Sequence, residues 1–447
     1  MRLEDAFDIK QCEVAAFVGA GGKTGAMFRL ADELVARGLR VITTTTTRLA
    51  RAELAYAPLC ITPTTEGGLP PDFATLIEQH RHILIYGAEE GDKVRGVEVD
   101  WLETHLSGHS AVDVLLVEAD GSRQLPFKGA YPHEPVLPPS VTLVVPVMGL
   151  DALGQPLNEE HIYGAERITE MIGIAPGTPL TPAAAAAALL HPQLGMKDIP
   201  PRARVIPLLN KVSGPTLDPA RDIAQRLLTD HRVNAVLIGA VHEEPPVRER
   251  RQRIGAVVLA AGQSSRMGEP KLLLPWREGE TIIRHVCRVI ASCGLYEIVV
   301  VTGQWHEAIR EQVGDLPVRP VYNPRYAEGE MLSSLQTGLS AIWRTSSACL
   351  VVLGDQPGVE AGVVRDLIRK YSEGCGRIVA PSYQNRRGHP MIIERSLWEE
   401  IMQLPEGAAP RDVIRAHERE ICHHIVSTQT VLRDIDTPDD YRRALEE

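Results

Sequence analysis

Short, almost uninterrupted apolar runs alternate with helix-like segments along nearly the whole chain of 447 residues. Such runs are typical of strands that are buried on both faces of a parallel sheet. In the first half, strands are predicted at residues 14–19, 40–45, 83–87, 112–119, 141–148, 204–209 and 235–240. In the second half, they are predicted at residues 255–260, 297–302, 318–322, 349–353 and 377–380. The alternation predicts an α/β fold with mainly parallel sheets.

Helices are predicted between many of these strands, at residues 25–37, 219–228, 281–293, 306–313, 332–343 and 361–371. One more is indicated by Thr181 and Pro182, which stand before an alanine run and are typical of an N-cap and a first helical position.

One polar segment divides the chain into two predicted domains. Residues 243–253 read EEPPVRERRQR and separate two apolar runs. A proline pair followed by dense charge buries too little apolar surface to form core, and domains of about 50–250 residues are usual. We therefore predict an N-terminal α/β domain over residues 1–244, a linker over 245–253 and a C-terminal α/β domain over 254–447.

Composition disfavours several classes of protein. The formal net charge of −11 disfavours a nucleic-acid partner. No apolar run approaches the ~20 residues of a membrane helix, and the first ten residues lack the apolar stretch of a signal peptide. The seven cysteines are odd in number and show no CxxC spacing, so we expect reduced thiols in a cytoplasmic protein.

A glycine-containing loop follows the predicted strand at residues 255–260, in the segment VVLAAGQSSRMGEPKLLLP. Gly262 and Ser264 allow the backbone to approach a ligand, and exposed N–H groups can hold phosphate oxygens. Arg266 and Lys271 add positive charge, which stabilises a triphosphate under attack at its α-phosphorus. The alternative is a surface turn with solvated charges.

Acidic residues occupy two further positions. The segment LVVLGDQP brings Asp355 to the end of a predicted strand, where open α/β sheets bind ligands and a carboxylate can hold Mg²⁺. The alternative is an aspartate that caps the next helix. Near the C-terminus, DIDTPDDY contains Asp436 and the Thr437–Pro438 pair, which is typical of a helix start.

These segments resemble the MobA-like nucleotidyltransferase family, and most closely its molybdenum cofactor cytidylyltransferases, over nearly all of residues 254–447. The resemblance is carried by LAAGQSSRMGEPKLLLP, GDQP, GHP at 388–390 and DIDTP at 434–438; NPRYAEGEMLSSL resembles the family's N…GMxxSL, with Glu330 in place of its glycine. It implies a Rossmann-like domain that uses Mg²⁺ to transfer CMP from CTP to the terminal phosphate of molybdopterin. CTP is implied by Ala261, because the family's LAAG form accompanies CTP; GTP and ATP stay open as alternatives.

The resemblance also implies residue roles. The implied catalytic residues are Arg266, Lys271 and Asp355. The implied nucleotide contacts are Ala260, Ala261, Gly262, Ser264, Arg266 and Lys271. The implied metal ligands are Asp355 and Asp436. The implied acceptor contacts are Asn323, Ser334, Gly388 and His389.

A second glycine loop, FVGAGGKT, lies between a predicted strand and a predicted helix, as a phosphate loop does. Gly21 and Gly22 would cradle phosphates, Lys23 would reach them and Thr24 would ligate Mg²⁺. Phe17 stands where the Walker A pattern has glycine, so a turn without ligand is the alternative.

Two later segments fit a nucleotide site in the same half. An apolar strand ends in Glu118 and Asp120, a placement similar to Walker B carboxylates. Asn210 and Lys211 belong to NKVS, which is similar to the guanine-reading NKxD motif but has Ser213 at its last position.

Residues 10–245 resemble the YqeC-like accessory family of selenium-dependent molybdenum hydroxylases. The resemblance is carried by GAGGKT, a threonine run at 43–47, EADGS, Lys128 and the segment HEPVLP that begins at His133. It implies an apo molybdenum hydroxylase as a partner and defines no reaction. Two other hypotheses stay open for the whole chain: transfer to a sugar or polyol phosphate, and a nucleotide-gated chaperone that carries cofactor without catalysis.

Overall fold

The structure is a computed structural model that describes residues 1–264, 267–328 and 330–446. The chain divides into two compact units, Met1–Arg251 and Gln252–Glu447. Both are mixed α/β units whose large sheets are mostly parallel, so the predicted fold class is confirmed. In the described ranges, no helix has the length and apolarity to cross a membrane.

All residues of the first unit are described. Its strands are β1 (Glu13–Gly19), β2 (Val41–Thr45), β3 (Arg48–Ala50), β4 (Leu59–Ile61), β5 (His82–Ile85), β6 (Ala88–Glu90), β7 (Lys93–Arg95), β8 (Val114–Glu118), β9 (Leu143–Gly149), β10 (Arg204–Val205), β11 (Leu208–Asn210), β12 (Val236–Gly239) and β13 (Val247–Arg251). Its helices are α1 (Leu3–Phe7), α2 (Lys23–Ala36), α3 (Phe73–His80), α4 (Val99–His105), α5 (Ala165–Ile172), α6 (Pro182–Leu190) and α7 (Leu217–Leu227).

The main sheet of the first unit runs β13-β12-β11-β9-β1-β8-β2-β5-β4, with β10 beside β9. All pairs are parallel except β12 with β13. The central strand β1 is buried on both faces because helices cover the sheet on each side. Since β1 and β8 are neighbours, the loops that follow them meet at one edge of the sheet.

The predicted linker is wrong over Val247–Arg251, which forms the edge strand β13 antiparallel to β12. Val247 and Glu249 face inward and are buried, while Arg248 and Arg250 are partly exposed. Arg221 donates a hydrogen bond of 2.9 Å to the buried Glu249 carboxylate. An edge strand gains its main-chain hydrogen bonds whatever its side chains are, and an ion pair satisfies the one acid that it buries.

In the described part of the second unit, the strands are β14 (Ile254–Ala260), β15 (Glu297–Thr302), β16 (Arg319–Tyr322), β17 (Ala348–Leu353), β18 (Ile378–Tyr383), β19 (Arg386–Arg387), β20 (Met391–Glu394) and β21 (Ile421–Ile425). The helices there are α8 (Ile282–Ala291), α9 (His306–Val313), α10 (Glu330–Ala341), α11 (Ala361–Ser372), α12 (Trp398–Gln403), α13 (Pro410–Ala416) and α14 (Pro438–Glu446).

The sheet of the second unit runs β16-β15-β14-β17-β20-β18-β19, with β21 beside β18. The first four strands are parallel, and β20 lies antiparallel between β17 and β18. Because β14 and β17 are parallel neighbours, their carboxyl ends bring the first glycine-loop residues close to the segment after Leu353.

The expectation of reduced thiols is wrong for one pair, since Cys375 and Cys422 form a disulfide with their Cα atoms 5.6 Å apart. They are 47 residues apart in sequence, so no local spacing indicates the bond. The parallel pairing of β21 with β18 brings them together. The other five cysteines are free thiols.

Candidate functional site

Three segments that are remote in sequence meet beyond the carboxyl ends of β14 and β17. The ammonium Nζ of Lys271 lies 2.5 Å from Oδ2 of Asp355 and 3.0 Å from Oδ1 of Asp436. These partners are 84 and 165 residues away along the chain. The structure therefore brings one predicted catalytic cation and both predicted metal ligands around a single nitrogen atom.

The Lys271 side chain keeps its charge although only 12% of it is exposed. Burial works against the ammonium, but the charges and hydrogen bonds of Asp355 and Asp436 outweigh it, so the pKa of Lys271 is raised. The lysine is an ammonium ion throughout the neutral pH range.

One main-chain hydrogen bond, here called the Ile435 latch, holds the Asp436 segment in place. The amide N–H of Ile435 donates to the carbonyl oxygen of Asp355 over 3.0 Å. Beside it, the buried Gln356 side chain donates to Oδ1 of Asp434 over 2.5 Å. Burial raises the pKa of Asp434, and the nearby charges of Asp355 and Asp436 add to that shift. This latch was not predicted from the sequence, although Gln356 stands inside the GDQP motif.

The start of α14 matches the helix-cap interpretation of the same segment. The Thr437 amide N–H donates to Oδ2 of Asp440 over 2.9 Å, and Asp440 N–H donates to the Thr437 hydroxyl over 3.2 Å. The cap uses residues on the far side of Asp436, so the helix start and the carboxylate site coexist.

The glycine loop is described in part. Ala260 ends β14, and Ser264 adopts a left-handed φ of 53° while its hydroxyl accepts a 3.2 Å hydrogen bond from the Lys271 amide. A Cβ on Gly262 would meet open space, so the backbone there is accessible. Arg266, a predicted catalytic residue, lies outside the described residues.

Asn323 and Ser334 fix the loop between β16 and α10. The Asn323 amide, which is completely buried, donates to the hydroxyls of Ser333 and Ser334 over 3.0 and 3.2 Å. Its carbonyl oxygen accepts from the Arg325 amide over 2.9 Å. In this structure the two predicted acceptor contacts therefore hold each other and shape the loop.

Gly388 and His389 pack against the segment that leads to Asp434. A Cβ on Gly388 would lie 2.2 Å from the Val431 carbonyl oxygen, which also accepts from the His389 amide over 2.9 Å. Burial lowers the pKa of His389 to about 4; Arg387 adds to the shift and Asp355 opposes it. His389 is therefore a neutral imidazole within electrostatic reach of Asp355.

Two cavities of the second unit were not predicted. One of about 470 Å³ lies at the ends of β15 and β16, with Trp305, His306, Tyr322 and Tyr326 in its wall. The other, of about 670 Å³, lies beside Asp434 and is lined by residues that include Trp276, Arg277, His285, Arg433 and Arg443. Both were missed because their aromatic and basic residues come from separate segments without a shared motif.

In the first unit, the predicted phosphate-loop residues meet the predicted acids. Lys23 is 3% exposed; its Nζ donates to the Gly19 carbonyl over 2.7 Å and lies 3.2 Å from Asp120 and 3.8 Å from Glu118. The hydroxyl of Thr24 donates to Glu118 over 2.7 Å. Burial opposes the charge of Lys23, yet Asp120 and Glu118 outweigh it and raise its pKa.

Lys128 extends this buried charge network. Its Nζ lies 3.1 Å from Asp120 and 2.6 Å from Glu134, and it donates to the Gly121 carbonyl over 2.5 Å. His133 stands beside Glu134 and lines a cavity of about 700 Å³, together with Gly21, Gly22, Lys23, Thr24, Glu118 and Lys211. Most of the predicted residues of this half therefore line one cavity, and Asp120 and Lys128 stand behind its wall as partners of Lys23 and Glu134.

Asn210 contacts the loop itself. Its amide donates to the Gly21 carbonyl over 2.9 Å, and its carbonyl accepts from the Val241 amide over 3.1 Å. A Cβ on Gly22, whose φ is 113°, would lie 2.6 Å from this amide. Asn210 supports the loop, and Lys211 pairs with Asp151 over 2.7 Å at the cavity wall.

Glu118 gives a pH-dependent prediction. Burial raises the pKa of its carboxyl to about 7, against the opposing effects of Lys23 and the Thr24 hydrogen bond. The ordinary glutamate value is 4.5, so the folded protein binds this proton more tightly than the unfolded chain. Its contribution to stability is present below pH 4.5 and is lost as the pH rises through 7. Over this pH range, the free energy of unfolding of the first unit should fall by on the order of 3 kcal/mol more in the wild type than in Glu118→Gln.

Urea unfolding at pH 4.5 to 8, read by hydrogen exchange in peptides from β1 and β8, measures this difference. Glu78→Gln, on an exposed side chain of α3, is the matched control and should show no such trend. A difference between wild type and Glu118→Gln that stays constant with pH would contradict the prediction.

Comparison with known proteins gives matches for each unit separately. A family model described as MobA-like NTP transferase domain matches residues 256–421, and one described as YqeC protein matches residues 15–166. The uncharacterized protein YqeC of Escherichia coli K12 is 30% identical over 244 residues, which cover 54% of this chain and 92% of that protein.

Two curated relatives match the second unit. The molybdenum cofactor cytidylyltransferase of Escherichia coli K12 is 26% identical over 196 residues, 43% of this chain and 96% of that protein. The nicotine blue oxidoreductase of Paenarthrobacter nicotinovorans is 32% identical over 201 residues, again 43% of this chain and 96% of that protein. These two relatives carry the names of different activities.

Proposed function

We propose, for a chain that belongs in its N-terminal half to the YqeC family and in its C-terminal half to the MobA-like NTP transferases, that the second unit transfers CMP from CTP to molybdopterin. Family membership makes the second unit a nucleotidyltransferase related to the molybdenum cofactor cytidylyl- and guanylyltransferases. The base and the acceptor are the proposed part.

The meeting of Asp355 and Asp436 at the Lys271 ammonium is the observation that supports this reaction most strongly. The acceptor's terminal phosphate is already an anion, so the transfer needs no strong general base. It needs positioning and neutralisation of charge on the triphosphate. The fixed ammonium of Lys271 and the two carboxylates beyond the strand ends can supply both the positioning and the neutralisation of charge.

The donor set suits a magnesium ion. Mg²⁺ is usually bound through one or two carboxylates together with water and substrate phosphates, and this site supplies two carboxylates. Within the described residues, no cluster of three or more histidine, cysteine, aspartate or glutamate side chains suggests a closed metal cage. Asp355 and Asp436 would hold the ion, which when bound neutralises charge on the triphosphate oxygens.

The remaining roles in the transfer are assigned to residues of the chain itself. An oxygen of the acceptor phosphate attacks the α-phosphorus, and the bond from that phosphorus to the pyrophosphate oxygen breaks. Lys271 stabilises the charge that moves onto pyrophosphate, and the open backbone at Gly262 lets the triphosphate approach. His389, which is neutral, can donate a hydrogen bond to the acceptor phosphate without adding a charge.

Two observations support CTP and one supports the place of the acceptor. Ala261 gives the LAAG form of the loop, and the 26% identical relative is named a cytidylyltransferase. The acceptor is placed beside His389, whose imidazole is within electrostatic reach of Asp355.

The test is incubation of the full chain with molybdopterin, Mg²⁺ and each of the four NTPs, with pyrophosphate and the product mass as readouts. We expect pyrophosphate with CTP and a product that contains CMP. Product with a polyol phosphate in place of molybdopterin would favour the alternative acceptor. Absence of pyrophosphate with every NTP, together with oxidation of NADH or NADPH by a dye substrate, would overturn the proposal.

For the first unit, we propose binding of a nucleoside triphosphate with Mg²⁺ and assistance to an apo molybdenum hydroxylase. Lys23, Thr24 and Glu118 support the nucleotide site, because loop, hydroxyl and acid meet at one cavity. If Lys23→Ala leaves nucleotide affinity of the full chain unchanged with the second-unit site blocked by CTP, this proposal fails.

A further inference from the structure

A small antiparallel sheet, β3-β7-β6, borders the phosphate-loop cavity of the first unit. Leu49 and Val94 are buried in the core on one face of this sheet. Arg48, Lys93 and Arg95 line the cavity from the other face. Strand alternation explains the division, since Lys93 and Arg95 flank Val94.

The charges on this sheet oppose each other directly. Arg48 is the cross-strand partner of Arg95, and like charges directly opposite each other are destabilising. Glu90 offsets part of the repulsion, since its carboxylate lies 3.2 Å from Arg48 and 3.6 Å from Arg95. Glu53 also lines the cavity, so two carboxylates stand against three cations and the face keeps one positive charge in surplus.

The sheet is fixed in position. The Gly96 amide donates to the Thr47 carbonyl over 2.7 Å, and the Val97 amide donates to the Thr45 carbonyl over 3.0 Å. A Cβ on Gly96 would lie 2.0 Å from that Thr45 oxygen, so the two backbones are in close contact. Thr45 ends β2, beside Glu118 on β8, and the backbone that carries the three cations is therefore held at a set place relative to the loop.

A fourth cation lines the same cavity from a strained loop. Arg123 and Gln124 have φ values of 51° and 63°, a left-handed conformation that is unfavourable for residues other than glycine. The Arg123 guanidinium stands 5.2 Å from the centre of the Tyr163 ring. Strain of this kind concentrates at ligand-binding sites, where it fixes a side chain.

We infer that this cavity binds a second ligand beside the nucleotide: a small molecule with a phosphate or comparably charged group, held by Arg48, Lys93 and Arg95. The inference rests on the proposed nucleotide site of the first unit. On the loop side, Lys23 is already surrounded by buried acids. The sheet supplies cations in surplus, two of them arginines, whose planar donors fit phosphate oxygens.

The test uses the full chain saturated with Mg²⁺ and with the non-hydrolysable NTP analogue that it binds best. Inorganic phosphate is titrated calorimetrically into the wild type and into the double variant Lys93→Gln/Arg95→Gln. We expect phosphate binding to weaken about tenfold or more in the double variant, while nucleotide affinity changes less than about threefold. Arg51→Gln, whose arginine pairs with Glu89 outside the cavity wall, is the matched control and should bind like the wild type.

Two results would overturn the inference. In one, phosphate binding to the nucleotide-loaded protein is absent or is the same in both proteins. In the other, the double variant loses nucleotide affinity tenfold and phosphate competes with nucleotide, which would assign these cations to the nucleotide's own phosphates. Failure of the nucleotide site itself is recognised separately, by the Lys23→Ala comparison, and thermal unfolding checks that each variant is folded.

Discussion

Lys271→Ala should reduce the kcat of nucleotidyl transfer by about 10²–10³-fold, the usual loss when one fixed donor to a developing charge is removed. The lysine is the point at which Asp355 and Asp436 meet, and its pKa is raised, so the wild type always presents a full charge. Alanine removes that charge from the pyrophosphate side of the transition state. The measurement is pyrophosphate release with CTP and molybdopterin at saturating Mg²⁺.

Lys370→Ala is the matched control, because this lysine on α11 is partly exposed and pairs with Glu373 over 2.8 Å. Its kcat should stay within about twofold of the wild type. In Lys271→Ala the two site carboxylates lose their shared partner and repel each other. We therefore expect a larger increase of melting temperature with added Mg²⁺ than in the wild type. Activity of Lys271→Ala close to that of the control would remove Lys271 from the mechanism.

Asp355→Asn should lower kcat/KM by about 10²-fold or more and raise the Mg²⁺ concentration needed for half-maximal rate. The side chain is nearly isosteric, so the Ile435 latch, which uses the Asp355 main-chain oxygen, should persist. Asp436→Asn should act in the same direction and more weakly, because its side chain is 45% exposed against 23% for Asp355. A Mg²⁺ titration of initial rates measures both effects.

The double variant decides whether the two carboxylates act together. If they share one ion, the loss in Asp355→Asn/Asp436→Asn should be much smaller than the product of the single losses. Asp366→Asn is the control, an aspartate of α11 that pairs with Arg369 over 2.8 Å. Losses that multiply, with no change in the Mg²⁺ requirement, would contradict a shared metal site.

The strand and helix pattern was predictable because the central elements are long and apolar. The helix predicted over 306–313 is α9, and the one predicted over 361–371 is α11 with one more residue. Although β5 and β16 are equally short and were predicted, the apolar-run pattern did not predict β20 and β21. Their positions depend on pairing with β18, which is a long-range contact.

A site residue was predictable where a single motif contains the functional side chain and also indicates its position at the end of a strand. Asp355 follows an apolar strand, and the order of strands takes it to Lys271. Asn210 shows the opposite case, because its motif suggests base recognition while the structure has its amide on the Gly21 carbonyl. The hydrogen-bond partner of a side-chain amide depends on tertiary packing, and a segment of four residues does not determine that packing.

The position of Asp436 has a consequence for synthesis of the chain. This acid follows β21, the final strand in the described residues, and lies 165 residues after Lys271. At about 5–20 residues per second, a ribosome needs roughly 8–30 s to make that interval. Through this time a nascent chain contains the cation and the first acid without the second, so the proposed transfer would begin only after translation of nearly the entire unit.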